Sequence, residues 1–346
     1  MNQLNQRIDW LDTLRAIGIF LVVLSHTGRY DASVMNFALC FYMPLFFFIS
    51  GLFVKNKIRE YFWIYYIKNR AQRLLIPYFV FCAISYLFWF LLGRNIYDHS
   101  TTPLQAFIQI FYSYGGDSSL IINVSLWFFT CMFVMQILFF GLIKILRSKL
   151  QLGLALLLLS TLGYGLAQVI PHHLGTPWGL HLALTAIVFY GIGYFCQSYI
   201  LEDQLVKWNR WLVLITSLAA YLIFSTINQK VVFVVGAYGN YFYFYLSALG
   251  GILFWTHIAR LLPTFPLISQ IGKNTLIIFS AHLLIFPFIT GFFVYVLGIP
   301  DESLDSGLFI ALVYTVISIL VLLPVAHFFN KRLPFLLGKS LRKPTI

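Results

Sequence analysis

The stretch from Asp12 to Tyr30, DTLRAIGIFLVVLSHTGRY, is an apolar run that contains Arg15 and His26. Ten residues separate the two, so on an α-helix they lie about three turns, or about 16 Å, apart on one face. Ionisable groups inside a membrane span are costly and are functional candidates by default. The spacing predicts a helix that holds two ends of one long ligand. It favours a membrane enzyme over a non-catalytic membrane protein.

The composition is that of a membrane protein. Of the 346 residues, 60% are hydrophobic and only 10% are charged, and the mean hydropathy is +0.84. These values exclude a soluble protein of this length. Since no hydrophilic stretch is long enough for a separate domain, we expect one membrane domain over residues 1–346. The four cysteines lie in apolar runs without metal-binding or redox spacing, which favours a packing role.

Ten apolar runs are long enough to span a bilayer, which predicts an all-α polytopic membrane protein. They cover residues 13–30, 37–54, 75–92, 122–143, 151–170, 180–199, 211–227, 240–260, 275–297 and 307–329.

Charge predicts the orientation of these spans. With the N-terminus inside, 20 Lys and Arg residues fall on the inner side and three on the outer side. Because positive residues accumulate in cytoplasmic loops, both termini are predicted to be cytoplasmic in a multi-pass cell-membrane protein. The net charge of +12 then reflects this bias and attraction to anionic membrane lipids, and no nucleic-acid partner is expected.

Two connecting segments have a composition of their own. Residues 55–73 mix basic and aromatic side chains, which indicates a helix at the cytoplasmic interface. Residues 93–121 form a long outer connection with an apolar centre, which predicts a re-entrant or surface helix. Its length makes it a candidate for binding an acceptor.

The two ionisable residues of the first span each have two interpretations. Arg15 either extends to phospholipid headgroups or binds a phosphate-bearing ligand. Asp12, one turn earlier, is expected to cap the helix and to orient the guanidinium. His26 either forms a hydrogen bond to another helix or acts as a general base, and the base is favoured because imidazole titrates near neutral pH.

Other polar residues are weaker candidates. Arg70 and Arg73, spaced i and i+3, share a helix face and suit ligand anions and positive-inside charge about equally. Ser50 lacks the G-x-S-x-G pattern of a nucleophile, so with Gly51 it favours close helix packing. Trp127 suits either a cavity wall or an interface anchor.

The late segment IGKNTLIIFSAHLL contains Asn274, a candidate helix cap, and His282 about two turns further along. Two intramembrane histidines on different helices, His26 and His282, make a shared cavity more plausible than one would. Every Asp and Glu lies outside the spans or at their ends, which counts modestly against a proton-coupled transporter.

These features resemble acyltransferase family three, the integral-membrane acyltransferases that modify cell-surface glycans, and within it the fucose 4-O-acetylase-like branch. The matching segments occur in the family's order over about residues 8–282. They are DWLDTLR, the Arg-x10-His spacing, PLFFFISGLF, RAQRLLIPY, SLWFF and IGKNTLIIFSAH. One segment departs from the family pattern: TPWGLHLAL lacks an Asp near His181.

The resemblance implies ten membrane helices and an acetyl-CoA, or other acyl-CoA, donor on the cytoplasmic side. It also implies a sugar hydroxyl of a surface glycan, exopolysaccharide or lipid-linked precursor as the acceptor, and no metal. His26 would be catalytic, and Arg15, Arg70 and Arg73 would serve donor binding or architecture. Ser50, Trp127, Asn274 and His282 are candidates for a second polar site. The alternative is a polytopic transporter or flippase for a glycan or lipid intermediate.

Overall fold

The computed structural model describes residues 8–30, 32–55, 57–96, 100–116, 120–201, 210–304 and 307–339. Helices dominate this part of the chain. The α-helices of eight or more residues are α1 (Asp9–His26), α2 (Ala32–Leu52), α3 (Trp63–Phe88), α4 (Pro103–Tyr112), α5 (Trp127–Ile145), α6 (Lys149–Val169), α7 (Leu180–Phe195), α8 (Arg210–Ile227), α9 (Tyr241–Leu261), α10 (Pro266–Lys273), α11 (Thr275–Gly291) and α12 (Leu308–Arg332).

Among the residues that the structure describes, nine helices are long and apolar enough to cross a membrane. They correspond in order to the last nine predicted spans and confirm an all-α polytopic membrane protein. The remaining predicted span corresponds to α1, which has 18 residues. It is not among the nine because three of its 18 residues, Asp9, Asp12 and Arg15, are charged, so no apolar stretch of spanning length remains.

Several predicted boundaries are wrong by a few residues, and two of these errors concern helices that carry candidate site residues. The first span was expected to continue to residue 30, but α1 ends at His26. The second error concerns residues 55–73, which do not form a separate helix, because α3 begins at Trp63 and runs without a break into the apolar span. Basic side chains near a helix end can extend toward water, so they need not end the helix.

The long connection 93–121 does contain the predicted short helix, α4. Thr102 caps it through a reciprocal pair of hydrogen bonds with Gln105, and Pro103 occupies its first position. Ala106 and Ile110 are buried, whereas large apolar side chains on other faces of α4 are exposed. Its exposed apolar surface suits a membrane-surface helix.

The chain divides into two compact units, and the first comprises residues 1–46, 203–231 and 238–326. Within it, α1 packs against α9, α10 and α11. The closest approach lies at Gly272 of α10, where a Cβ atom would overlap the backbone carbonyl of Asp12. Nearby, the guanidinium of Arg260 lies 4.4 Å from the ring centroid of Trp10. These contacts fix the start of the helix that carries Arg15 and His26.

The second unit comprises residues 47–202, 232–237 and 327–346. In it α3 and α5 run antiparallel. The Trp63 ring at the start of α3 lies 4.8 Å from the Phe140 ring near the end of α5. Ser85, near the end of α3, accepts a 3.1 Å hydrogen bond from Asn123, just before α5. Helices α6 and α7 meet at Gly163, where a Cβ atom would lie 2.6 Å from the Thr185 amide nitrogen. Small residues therefore allow close helix approach in this unit.

Candidate active site

His26 lies in the last turn of α1. The helix ends there because Thr27 turns its hydroxyl back to the carbonyl of Leu24 at 2.8 Å, and because Gly28 adopts φ +65°. Glycine reaches this left-handed conformation without steric cost. The predicted span, residues 13–30, implied that the imidazole lies within the helix. In the structure it lies at the helix terminus.

The backbone fixes the tautomer of His26. Its Nδ1 lies 2.8 Å from the carbonyl oxygen of Val22, one turn earlier on the same helix. A carbonyl only accepts hydrogen bonds, so Nδ1 carries the proton in the neutral ring. The lone pair is then on Nε2, which is the arrangement that a general base needs.

His282 of α11 lies directly beside His26. The two ring centroids are 4.9 Å apart and the rings are inclined at 58°. The Nδ1 of His282 contacts the carbonyl oxygens of Phe279 at 2.9 Å and Ile278 at 3.1 Å, so its Nε2 is also an acceptor. That Nε2 is buried and has no hydrogen-bond partner among the described residues. The structure thus brings together the two histidines that the sequence placed on different spans.

This geometry gives the pair a definite chemical capacity. Each ring donates its Nδ1 proton to its own helix, and this leaves two adjacent Nε2 lone pairs. A substrate hydroxyl at this position can donate its proton to one of them. Two imidazolium ions at this separation would repel each other in apolar surroundings, so the pair holds one added proton at a time.

Aromatic rings line the far side of His282. The Phe286 ring lies 5.9 Å from His282 and 6.0 Å from Tyr314. The Tyr314 hydroxyl forms a 2.7 Å hydrogen bond with Thr290, and the Arg29 guanidinium lies 4.4 Å from the Tyr314 ring centroid. The histidine pair therefore lies beside a group of aromatic side chains.

Arg15 occupies the other end of α1 and is oriented by Asp12, as the sequence predicted. Its Nη1 lies 3.4 Å from Oδ1 of Asp12, and its side chain is 28% exposed. The expected capping role of Asp12 is wrong, because the residue before the helix is Ile8 and Asp12 lies inside the first turn. Asp12 is instead a buried carboxylate that holds the guanidinium.

In the second unit, Arg70 and Arg73 both lie on α3 but differ in environment. Arg70 is half-buried, and its guanidinium lies 5.0 Å from the Tyr66 ring centroid. Arg73 is exposed. Gly338, with φ +66°, packs against the backbone of Gln72 and Arg73, where a Cβ atom would overlap the Gln72 carbonyl. One arginine is therefore directed into the unit, and the other remains open to an anionic ligand.

The residues of the predicted second polar site have separate partners. Asn274 does precede α11, but its amide donates to the Gln270 carbonyl at 2.8 Å and makes no capping bond. Ser50 accepts a 3.0 Å hydrogen bond from Gln136. Trp127 is 4% exposed and stacks on Phe233 at 5.9 Å, so it is a packing residue and not an interface anchor.

The sequence did not single out Tyr66 and Gln136, although both have buried polar atoms without partners among the described residues. Gln136 had a visible signal, since it is a lone amide inside the apolar run WFFTCMFVMQILFF. His181, where the family's Asp is missing, instead has a hydroxyl partner. Its Nδ1 lies 2.8 Å from Thr176 Oγ1.

No group of three or more His, Cys, Asp or Glu side chains suited to hold a metal ion occurs in the described part of the chain. A family model described as an acyltransferase domain, that of acyltransferase family 3, matches residues 8–327. Searches of curated proteins and of solved structures gave no match. The family match spans nearly the whole chain and includes both histidines and all three arginines. The chain belongs to acyltransferase family 3.

Proposed function

We propose that this membrane acyltransferase moves an acetyl group from cytoplasmic acetyl-CoA to a hydroxyl of a cell-surface glycan, an exopolysaccharide or its lipid-linked precursor. The observation that carries the proposal is the His26–His282 pair, with Nδ1 of each ring bound to a backbone carbonyl and Nε2 of each available as an acceptor. Such a pair suits proton removal from a neutral hydroxyl.

In the proposed reaction, Nε2 of His26 removes the proton of the sugar hydroxyl while the oxygen attacks the thioester carbonyl. The C–O bond forms, the C–S bond breaks, and the CoA thiolate takes the proton from the imidazolium to leave as free CoA. General base catalysis of this kind contributes about 10²–10⁴-fold to a rate. Direct transfer is favoured because, among the described residues, neither His26 nor His282 has a hydroxyl or thiol within hydrogen-bond distance that could act as a nucleophile.

His282 has a positioning role in this scheme. Its Nε2 is buried without a hydrogen-bond partner among the described residues, and its ring lies beside the ring that becomes charged. An acceptor at this position stabilises the imidazolium of His26 while the proton is held there. His282 does not need to contact the substrate to raise the rate.

In this proposal each unit supplies arginines that suit an anionic donor. Arg15 has a guanidinium that is held by Asp12 and remains partly exposed, which suits a CoA phosphate. Arg73 is exposed and suits a second phosphate, while Arg70 is directed inward. The strong excess of Lys and Arg on one side of the predicted topology supports cytoplasmic termini, and the proposal takes the donor to bind from that side.

The test is transfer of radiolabelled acetyl groups from acetyl-CoA to a crude extract of surface glycans, with purified protein in nanodiscs. His26→Ala should lose transfer by at least about 100-fold while it still binds acetyl-CoA. His173→Ala removes an exposed histidine and should behave as wild type. Transfer by His26→Ala at the wild-type rate would overturn the assignment. A folded wild type that neither binds acetyl-CoA nor transfers label would favour a transporter instead.

A further inference from the structure

The second unit contains a group of buried polar atoms that has no evident structural purpose. Oη of Tyr66, Nε of Arg70 and Oε1 of Gln136 are buried, and none makes a well-formed hydrogen bond to a described residue, although the Tyr66 hydroxyl lies close to the side chains of Arg70 and Tyr190. Tyr66 is only 2% exposed and Gln136 only 3%. Leaving such a group unpaired costs about 1–3 kcal/mol. Three unpaired groups therefore point to a ligand that completes them.

The packing of α3 on α5 brings these residues together. Tyr66 stacks on Phe140 with ring centroids 4.0 Å apart and planes inclined at 12°. Arg70 lies one turn further along α3, and its guanidinium is 5.0 Å from the Tyr66 ring centroid. Gln136 lies one turn before Phe140 on α5. Because the two helices are antiparallel, Arg70 and Gln136 lie at the same level, and the three residues form one polar cluster.

The hydrogen bonds already made determine what the cluster offers. Gln136 donates from Nε2 to Ser50 Oγ at 3.0 Å, so its Oε1 is fixed as the unpaired acceptor. Tyr66 Oη and Arg70 Nε are available donors. The cluster therefore presents two donors and one acceptor between aromatic rings. A phosphate has only acceptor oxygens at its charged face and would be repelled by Oε1, whereas a secondary amide supplies both an acceptor and a donor.

We propose that this polar cluster binds a secondary amide in the pantetheine arm of the acyl donor. The amide carbonyl accepts from Tyr66 and Arg70, and the amide N–H donates to Gln136. This inference rests on the proposed function, since it takes acyl-CoA to be the donor. It assigns Arg70 to the neutral arm of the donor and not to a phosphate.

The experiment compares Tyr66→Phe and Gln136→Met with wild type. Binding is measured for acetyl-CoA, for S-acetylpantetheine, which has the arm alone, and for adenosine 3′,5′-bisphosphate, which lacks the arm. Both variants should weaken S-acetylpantetheine binding by roughly tenfold, as loss of one buried hydrogen bond implies. Binding of the bisphosphate should not change. Tyr65→Phe removes a hydroxyl that is exposed on the same helix and serves as the matched control.

Stability separates a binding role from a structural one. Since the Tyr66 hydroxyl makes no well-formed hydrogen bond within the described part of the chain, Tyr66→Phe should not lower the unfolding temperature. A lowered unfolding temperature with equal weakening of all three ligands would show a structural role and overturn the proposal. Unchanged S-acetylpantetheine binding in both variants, with wild-type acetyl transfer intact, would overturn the amide site alone. If wild type bound no pantetheine probe and transferred no acetyl group, the proposed function itself would fall.

Discussion

The histidine pair of the first unit and the polar cluster of the second unit both contain buried polar atoms without partners, but they offer opposite chemistry. His26 and His282 each use Nδ1 on a backbone carbonyl and present only acceptors. The polar cluster of Tyr66, Arg70 and Gln136 presents donors together with an acceptor. A pair of acceptors suits proton removal, whereas mixed donors and an acceptor suit recognition. The comparison separates a site for chemistry from a site for binding within one chain.

The largest expected effect concerns the packing that positions α1. Gly272→Ala places a Cβ atom onto the Asp12 carbonyl, and we expect it to lower the free energy of unfolding by about 3 kcal/mol. Gly153→Ala, on α6, meets no atom within 4 Å and should be neutral or stabilising by up to about 1 kcal/mol. Thermal unfolding in detergent checks both. Equal stability of the two variants would show that the close contact at Gly272 does not fix the position of α1.

The next effect tests His282 as a positioning residue. His282→Leu removes the acceptor beside His26 and should lower kcat by roughly 10–100-fold, about 1.4–2.7 kcal/mol in transition-state stabilisation, with little change in KM for the donor. His257→Leu is the matched control, because His257 is also buried and bonds a carbonyl one turn earlier on its helix. A loss of kcat in both variants, with lowered unfolding temperatures, would indicate damage to packing.

A smaller effect is expected at the start of α1. Arg15→Gln should raise KM for acetyl-CoA by about tenfold, since a charge-assisted hydrogen bond contributes about 1.5–3 kcal/mol, and should leave KM for the glycan unchanged. The wild-type KM for acetyl-CoA should also rise with salt more steeply than that of the variant. Lys273→Gln removes an exposed charge of the same unit as a control. If Arg15→Gln changed only the KM for the glycan, the assignment of Arg15 to donor binding would be wrong.

The smallest effect on activity should come from His181. Thr176→Val removes the hydroxyl that contacts both Nδ1 and the backbone N–H of His181, and it should cost about 1 kcal/mol of stability. Activity should stay within about threefold of wild type. A loss of kcat as large as that of His282→Leu would show that His181 takes part in catalysis and is not only structural.

The sequence predicted the helical fold and much of the histidine site because both depend on strong local signals. Apolar runs of spanning length predict helices, and an ionisable residue in such a run is conspicuous, as with His26 and His282. Helix ends were less predictable. The end of α1 depends on the Thr27 hydrogen bond and the conformation of Gly28, and the start of α3 lies within a basic and aromatic stretch.

The polar cluster was not predictable in the same way. Gln136 stands out as a lone amide in an apolar run, but Tyr66 lies in an aromatic stretch and nothing in their spacing relates one to the other. They meet because α3 and α5 pack antiparallel with Tyr66 opposite Phe140. Such a register is a property of the tertiary packing and is not encoded in any short stretch of the sequence.

The most direct test measures kcat and KM for acetyl-CoA in one transfer assay with His26→Gln and Tyr66→Phe. A base and a binding group affect different kinetic constants, provided that chemistry is slow relative to donor release. We predict that His26→Gln loses kcat by about 10²–10⁴-fold with KM nearly unchanged, and that Tyr66→Phe raises KM about tenfold with kcat nearly unchanged. Wild-type kcat in His26→Gln would contradict the account.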